Sequence, residues 1–357
     1  MVTIRDVATR AKVSTATVSH VMNNSRAVSL ETKKKVKAAI KALKYRPHGI
    51  ARSLRVSQTG TIAVLISDVT NPFFADFVRG VEDTAHQQSD RYNLLLCNTE
   101  ESAAREARSL DMVLERRIDG IVMAPAGGNE ATIADLAQSG LPIVFGDRTL
   151  KGVALDTVVI DNRAAAHELT NHLLSLGYRR IGLMEADLHS SAIHDRCLGF
   201  RDAMAQAGMT VEARDVVRST SNIVEAETAA RTLIAGVERP DAIFCTNNFL
   251  TLGTVQALLS HGLRCPEDLG VAGFDDFPWA AAFQPRLTVM AQPAYEIGRE
   301  AATLLFDRIS GRRAGAPVQI VLKAKMIVRD SCGANLPRRD GGRAFGSISA
   351  LGRLVGG

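Results

Sequence analysis

The sequence predicts an α/β chain with a small, all-helical head and a large body made of two doubly wound parallel sheets. Three observations carry this. Residues 2–44 place apolar side chains at helical spacing behind capping residues. Residues 61–292 alternate short apolar runs with amphipathic stretches, the pattern of parallel strands joined by crossover helices. About ten such runs are too many for one compact sheet of this kind, so two lobes are expected.

Length and composition agree. The 357 residues suffice for two or three domains, and 46% apolar with 23% charged residues is a globular balance. The longest apolar runs, such as Ile62 to Ile66, are too short to span a bilayer. No signal-peptide h-region opens the chain, so a cytoplasmic protein without membrane partners is expected. Cys97, Cys197, Cys245, Cys265 and Cys332 are scattered and odd in number. That argues against a disulfide framework or a zinc site and fits reduced thiols. Neither a metal nor a cofactor is expected. The net charge of +5 hides an asymmetry: residues 1–60 hold thirteen Lys/Arg against Asp6 and Glu31, a balance of +11, which leaves −6 for the remainder. A basic head on a mildly acidic body suits a phosphate-binding module joined to a domain that does not bind nucleic acid.

The head is expected over residues 1–46. Ile4, Val7 and Ala8 give its first helix an apolar face, and Ala11-Lys12-Val13 makes a tight turn. Ser14 is placed to cap the second helix, whose buried stripe is Val18, Val21 and Met22. Thr15, Ala16, Thr17, Ser19 and His20 fall on other faces, mostly outward. Small polar side chains at the positive end of a helix suit phosphates and base edges. The pattern is a helix-turn-helix whose second helix would enter a DNA major groove. The competing reading is a helical hairpin inside a larger core. After Arg26, Ser29 can cap a third helix reaching about Lys44. Val36, Ile40 and Leu43 form its apolar side, with Lys33, Lys34, Lys35, Lys37 and Lys41 outside.

Residues 47–60 read as a short helix and linker. Pro47 suits a first helical turn, but Pro47 to Leu54 is too short to be helical alone. Leu54 flanked by Arg52 and Arg55 suggests a minor-groove wedge held by phosphate contacts. The competing reading is a plain linker, which Val56 to Gly60 resembles in composition.

The body follows over residues 61–332. Strand runs occur at Thr61–Ser67, Tyr92–Thr99, Gly120–Pro125, Pro142–Asp147 and Thr157–Asp161, separated by helices near Phe74–Gln88, Ala103–Arg116 and Asn129–Ser139. A second series occurs at Arg180–Glu185, Ala242–Asn247, Gly270–Asp275 and Leu287–Gln292. Residues 333–357 are Gly- and Arg-rich with no sustained heptad, so a disordered tail and no coiled coil are expected.

Three stretches together, VTIRDVATRAKVSTATVSHVMNN, YRPHGIARSLR and TIAVLISDVTNPFFADFVRGVE, resemble the LacI/GalR family of bacterial transcription regulators. The resemblance covers roughly residues 2–332. It implies a helix-turn-helix DNA-binding domain and a two-lobed effector domain like periplasmic sugar-binding proteins. It also implies a homodimer whose paired hinge helices insert leucines into the minor groove. The first lobe would hold about 61–161 plus 293–320, and the second about 162–290 plus 321–332. The residues expected to meet operator DNA are Thr3, Ser14, Thr15, Ala16, Thr17, Ser19, His20, Asn23, Arg26, Ala51, Arg52, Leu54 and Arg55. His20 stands where relatives carry Arg, so operator preference does not transfer.

Ligands of doubly wound sheets lie beyond the carboxyl ends of strands. That rule and the resemblance select Asn71, Phe73, Phe74, Asp147, Arg196, Asn247, Asp275 and Trp279 as effector-binding residues. Arginine and carboxylates can grip a polyol through paired hydrogen bonds, and aromatic faces can pack on a sugar ring. Each has a plainer alternative. Phe73 or Phe74 can be core, Arg196 can form an inter-lobe salt bridge, and Trp279 can be a packed core residue. Asp161 is read as a helix cap, and Asp276 as structural. Ser219-Thr220-Ser221 stands where relatives often carry an aromatic, a place Trp279 can fill. His189 and His194 read as solvated loop residues or as readers of an acidic sugar.

The expected function is a repressor of a carbohydrate-related operon, its operator affinity controlled by a small sugar or sugar derivative. The alternatives are a sugar-binding protein or a nucleobase-responsive corepressed regulator. An enzyme is not expected, since no G-x-x-x-x-G-K-[ST], no G-x-G-x-x-G after a strand and no Ser-His-Asp spacing occurs.

Overall fold

The computed structural model describes residues 2–23, 26–43, 59–88, 92–186, 189–235 and 238–336. Two compact units divide the chain, residues 1–59 and 60–357. The expected hinge, with Ala51, Arg52, Leu54 and Arg55, lies outside the described residues, as do the Asn23 side chain, Asp187-Leu188 and the tail from 337 onward.

The first unit contains α1 (Ile4–Ala11), α2 (Thr15–Asn23) and α3 (Leu30–Leu43). Thr3 starts α1 with a reciprocal capping box. Its backbone N–H donates to Asp6 Oδ2 at 2.7 Å, and the Asp6 N–H donates back to Thr3 Oγ1 at 3.4 Å. The α1–α2 turn depends on Lys12, which holds φ 54°, while its N–H closes onto Ala8 and Thr9 carbonyls. Ser14 caps α2 as expected: the Thr17 N–H donates to its Oγ at 3.1 Å. Ser29 does the same for α3 through Thr32, at 3.3 Å. Val7, Ala8, Ala11, Val18, Val21, Val36 and Ala39 make the core, with Met22, Ile40 and Leu43 at its margin.

The second unit is built on two six-stranded sheets. The first contains β1 (Thr61–Ile66), β2 (Asn93–Asn98), β3 (Gly120–Met123), β4 (Ile143–Gly146), β5 (Asp156–Ile160) and, late in the chain, β11 (Gln319–Leu322). Their order is β11-β5-β4-β3-β1-β2, and every pair is parallel. The helices α4 (Pro72–Gln88), α5 (Ala103–Glu115), α6 (Glu130–Gln138) and α11 (Ala294–Ile309) belong to this layer. The two-residue period shows how the sheet is covered on both faces. In β1, Ile62, Val64 and Ile66 join the core holding Phe73, Phe77 and Ile297. Ala63 and Leu65 join the opposite core, with Leu110, Val113, Ile133 and Leu136.

The second sheet contains β6 (Ile181–Glu185), β7 (Val216–Arg218), β8 (Ala242–Cys245), β9 (Gly270–Phe274), β10 (Thr288–Ala291) and β12 (Lys325–Ile327), in the order β12-β10-β9-β8-β6-β7. Only β12 runs antiparallel to its neighbour. Its helices are α7 (Asn162–Ser175), α8 (Ser191–Gln206), α9 (Ile223–Ile234) and α10 (Asn248–Ser260). Asp161 caps α7, accepting the Ala164 N–H at 2.9 Å. The predicted fold class is therefore the observed one. The chain passes between the sheets three times, after β5, β10 and β11. The sheets' carboxyl ends meet across a cleft bridged by direct contacts. Asn248 Nδ2 donates to Asn71 Oδ1 at 2.9 Å, and the Thr149 N–H donates to Ser191 Oγ at 2.9 Å. Among the described residues no helix is long and apolar enough to cross a membrane.

Candidate functional site

In the first unit, α2 presents Thr15 and Ala16 exposed, with Thr17, Ser19 and His20 half-buried on adjoining faces. Ser14 Oγ is engaged in the cap and lies 2.9 Å from Thr17 Oγ1. The hydroxyls that cap this helix therefore also stand at its positive end, where phosphate oxygens are favoured. Thr3 is exposed, and its hydroxyl donates to Asp6 at 2.8 Å. Arg26 is exposed beyond α2.

The second unit holds a cavity of about 570 Å³ between its lobes, within the range of small-ligand sites. Seven of the eight sequence-selected residues line it: Asn71, Phe73, Phe74, Asp147, Arg196, Asn247 and Asp275. Both phenylalanines are buried, with ring centroids 5.0 Å apart edge to face, so the core and the lining are the same residues here. Asn71 starts α4 from the end of the β1 loop, accepting the Phe73 N–H at 3.0 Å, and reaches across to Asn248.

Arg196 comes from the middle of α8 and is only 2% exposed. Its Nε donates to Asn162 Oδ1 at 2.8 Å and its Nη1 to the Thr246 carbonyl at 2.8 Å. Its guanidinium lies over the Phe274 ring, 4.1 Å from the centroid. These partners all belong to the second lobe, so Arg196 is no inter-lobe salt bridge. Asp275 Oδ2 lies 3.9 Å from Arg196 Nη1, close enough for attraction but too far for a hydrogen bond. Burial pushes the Asp275 carboxyl above its usual range despite Arg196 and Gln292, and burial likewise weighs against the Arg196 charge despite Asp275 and Asp147. Desolvation thus exceeds mutual attraction in this loosely joined pair. Asp276, by contrast, is paired outward with Arg329 at 2.9 Å.

On the first lobe Asp147 Oδ2 accepts the Arg148 Nε–H at 2.9 Å, and Arg148 Nη1 donates to Glu101 Oε2 at 2.7 Å. Burial works against the Arg148 charge, yet Glu101 and Asp147 hold its pKa above the ordinary arginine value. Asn247 caps α10 by accepting the Leu250 N–H at 2.9 Å and donates Nδ2 to Ser221 at 2.8 Å.

Trp279 does not reach this cavity. It is half-exposed and leans on Phe277 at 5.4 Å between centroids, because Phe277 takes the inward place of that turn. Thr220, Ser221 and Asn222 face the cavity instead, and Phe249 supplies a further ring. Neither His189 nor His194 lines it; both are exposed. Sequence reasoning missed Phe249, Asn98, Glu100, Glu101 and Gln292, whereas Ser190 falls in the stretch from Glu185 to Arg196 that the strand-end rule selects. The acidic run after β2 is the available signal for the two glutamates, and an isolated glutamine offers none. Among the described residues no group of His, Cys, Asp and Glu is arranged to hold a metal ion.

Comparison with known proteins places both units. Residues 3–48 match the family described as bacterial regulatory proteins, lacI family, and residues 59–327 match periplasmic binding proteins and sugar binding domain of LacI family. The chain is 34% identical to the HTH-type transcriptional repressor PurR of Photobacterium profundum, over 93% of this chain and 98% of that one. It is 32% identical to the ribose operon repressor of Haemophilus influenzae, over 93% of this chain and 98% of that one. A solved complex of the transcriptional regulator CelR with cellobiose is 30% identical with a TM-score of 0.70, covering 93% of this chain and all of that one. The lac repressor dimer bound to operator and an anti-inducer shares the fold at 22% identity, with a TM-score of 0.82 over 93% of this chain and 99% of that one. With a helix-turn-helix head, a cleft between two parallel-sheet lobes and family matches across both units, this chain belongs to the LacI family of DNA-binding bacterial transcription regulators.

Proposed function

We propose that the protein is a cytoplasmic, homodimeric repressor without catalytic activity, whose inter-lobe cavity takes a neutral, polyhydroxylated effector of sugar size. The observation that carries the ligand class is the buried, imperfectly joined Arg196–Asp275 pair facing Asp147 across the cleft. Charged groups held apart in a buried site are answered by a partner that both donates and accepts, which a polyol does. Among the described residues, Asp68, Glu100, Glu101, Asp147 and Asp275 line the cavity against Arg148 and Arg196 alone, and Arg148 is already committed to two carboxylates. That balance disfavours phosphate esters and sugar acids. The cellobiose complex of a relative supports a sugar, and the lac repressor dimer on operator supports the assembly.

Thr3, Ser14, Thr15, Ala16, Thr17, Ser19, His20, Asn23 and Arg26, with the hinge residues Ala51, Arg52, Leu54 and Arg55, are proposed to contact the operator. Ligand and DNA then affect each other reciprocally, because lobe movement alters the spacing of paired hinges. The test is a thermal-shift and titration panel on the full chain: ribose, glucose and cellobiose, their phosphate esters or acids, and the purines hypoxanthine and guanine. A neutral sugar should raise Tm and change operator affinity. A shift by the purines alone would replace the sugar reading with a nucleobase corepressor, for which the PurR relatives and the Phe73, Phe74 and Phe249 rings speak.

A further inference from the structure

The turn that ends the body is pinned from several sides. Arg286 Nε and Nη2 donate to the Asp330 carboxylate at 2.7 and 2.9 Å, Ser331 Oγ donates to the Val271 carbonyl at 2.8 Å, and Tyr178 Oη donates to the Cys332 carbonyl at 3.0 Å. Asn335 Nδ2 closes the turn onto Asp330 at 2.8 Å. The chain therefore leaves the body at a fixed point. Leu336, the last described residue, lies in a groove of about 500 Å³ on the second lobe. No residue lines both this groove and the effector cavity. Val255, Leu258, Leu263 and Pro285 form its apolar wall. Leu259, near the end of α10, stands on its lip and is 65% exposed. Arg264 is paired with Asp268 and Asp330 with Arg286, so among the described residues Glu267 is the groove's charge outside an ion pair.

We propose that this groove is the docking site of the chain's own C-terminal segment, with Phe345, Ile348, Leu351 and Leu354 covering Leu259 and the apolar wall. Residues 337–357, outside the described residues, place these four apolar side chains at every third position. Glycine-rich composition argues against a core of the segment's own, not against ordering on a surface that supplies one. The stretch from Leu336 to Phe345 reaches up to about 30 Å when extended, ample for doubling back into a groove where it already starts. Such a tether gives an effective concentration in the mM range, so a weak contact suffices. Charge agrees: residues 337–357 hold four arginines against Asp340, a balance of +3, which leaves −9 on residues 61–336. Arg343 precedes the apolar positions and suits Glu267. A second copy of the chain would have to cover the same lip without the tether, and it is the rival occupant in the test.

The full chain carries its own probe, since trypsin cuts after Arg343 and Arg353. Release of the C-terminal peptides is followed by mass spectrometry for the parent protein, for Leu259→Glu, and for a tail variant combining Phe345→Ser with Leu351→Ser. The tail variant leaves residues 1–336 untouched and serves if Leu259→Glu misfolds. Both variants should be cut at these arginines about tenfold faster than the parent, because cleavage follows the undocked population. Hydrogen exchange over residues 255–267 should also rise in the tail variant. A parent cleavage rate in either variant overturns the proposal: in the tail variant it denies these side chains the contact, and in Leu259→Glu it places the tail elsewhere. If a second copy is the occupant, sedimentation will show Leu259→Glu in a smaller assembly with tail cleavage unaltered, and that result overturns the proposal too.

Discussion

Asp147 and Asp275 hold matching places in the two lobes. Each directly follows a strand, β4 and β9, and each takes a left-handed backbone, with φ 72° and 70°. Each N–H donates across to the next strand, Asp147 to the Val158 carbonyl and Asp275 to the Met290 carbonyl, both at 3.0 Å. Aspartate tolerates that conformation better than most residues with a side chain. The same local device therefore brings a carboxylate to the cleft from each side, and Asp147 helps push the Asp275 pKa upward, after burial.

This predicts a pH dependence. The folded pKa of Asp275 is raised, so its stabilising contribution is complete below the unfolded value of about 3.9 and is lost as pH rises through the folded value. Asp275→Asn should flatten the fall in stability above about pH 4 and weaken effector binding by about tenfold or more, through loss of a charged hydrogen-bond acceptor. Tm measured from pH 4 to 8 without sugar, beside a titration at pH 7, checks both. A variant with the parent's pH slope and affinity would remove Asp275 from the site.

The opposite sign is expected at Asp156. Its carboxylate opens β5, receives Arg308 Nε and Nη2 at 2.7 and 2.9 Å, and also takes the Val318 N–H at 2.8 Å. Burial works against its charge, but Arg308 and Val318 outweigh it and hold the pKa below the ordinary value. The stability is present above the unfolded pKa and lost as pH falls through the folded one. Arg308→Ala should cost about 3 kcal/mol at neutral pH, as for a broken buried pair, and clearly less near pH 3. Urea unfolding at the two pH values measures it, and an equal cost at both would contradict the assignment.

Helix α4 packs on α11 at a glycine from each side. A Cβ at Gly80 would fall on the Tyr295 carbonyl oxygen, and one at Gly298 on the Phe77 carbonyl. Backbone, unlike a side-chain tip, cannot swing away. Gly80→Ala should therefore destabilise the body by about 1–3 kcal/mol or more through overpacking, although alanine favours an isolated helix. Unchanged Tm would mean that the two helices separate without penalty.

How far the sequence anticipates this structure varies by element. Central strands such as β1 and β9 are legible because burial on both faces leaves uninterrupted apolar runs. The short edges β11 and β12 are not: their half-exposed patterns, QIVL and KMI, lack a bounded apolar block. Asp147 and Asp275 follow from the strand-end rule, whereas Gln292 becomes visible only where the fold brings it to the cavity. Trp279 was chosen for its ring, but side-chain direction in a turn is set by which neighbour is buried, and Phe277 is 4% exposed against 50% for Trp279.

The last prediction separates folding from reading in α2. Ser14 satisfies an orphan N–H at the helix start, and the unit it serves has a core of only a few buried side chains. Ser14→Ala should cost about 1 kcal/mol of that unit's stability and weaken binding to operator and non-operator DNA alike, because the whole helix is less often formed. His20 lies more than a turn further on and is half-buried. His20→Ala should change the preferred base at one operator position, by about 1–3 kcal/mol for a specific base contact, while leaving the salt slope of non-specific binding intact. Binding measured on a set of singly substituted operators at two salt concentrations tells the two effects apart. A uniform loss for His20→Ala would assign it to the phosphate backbone, and a base-specific change for Ser14→Ala would show that its hydroxyl leaves the cap to read DNA.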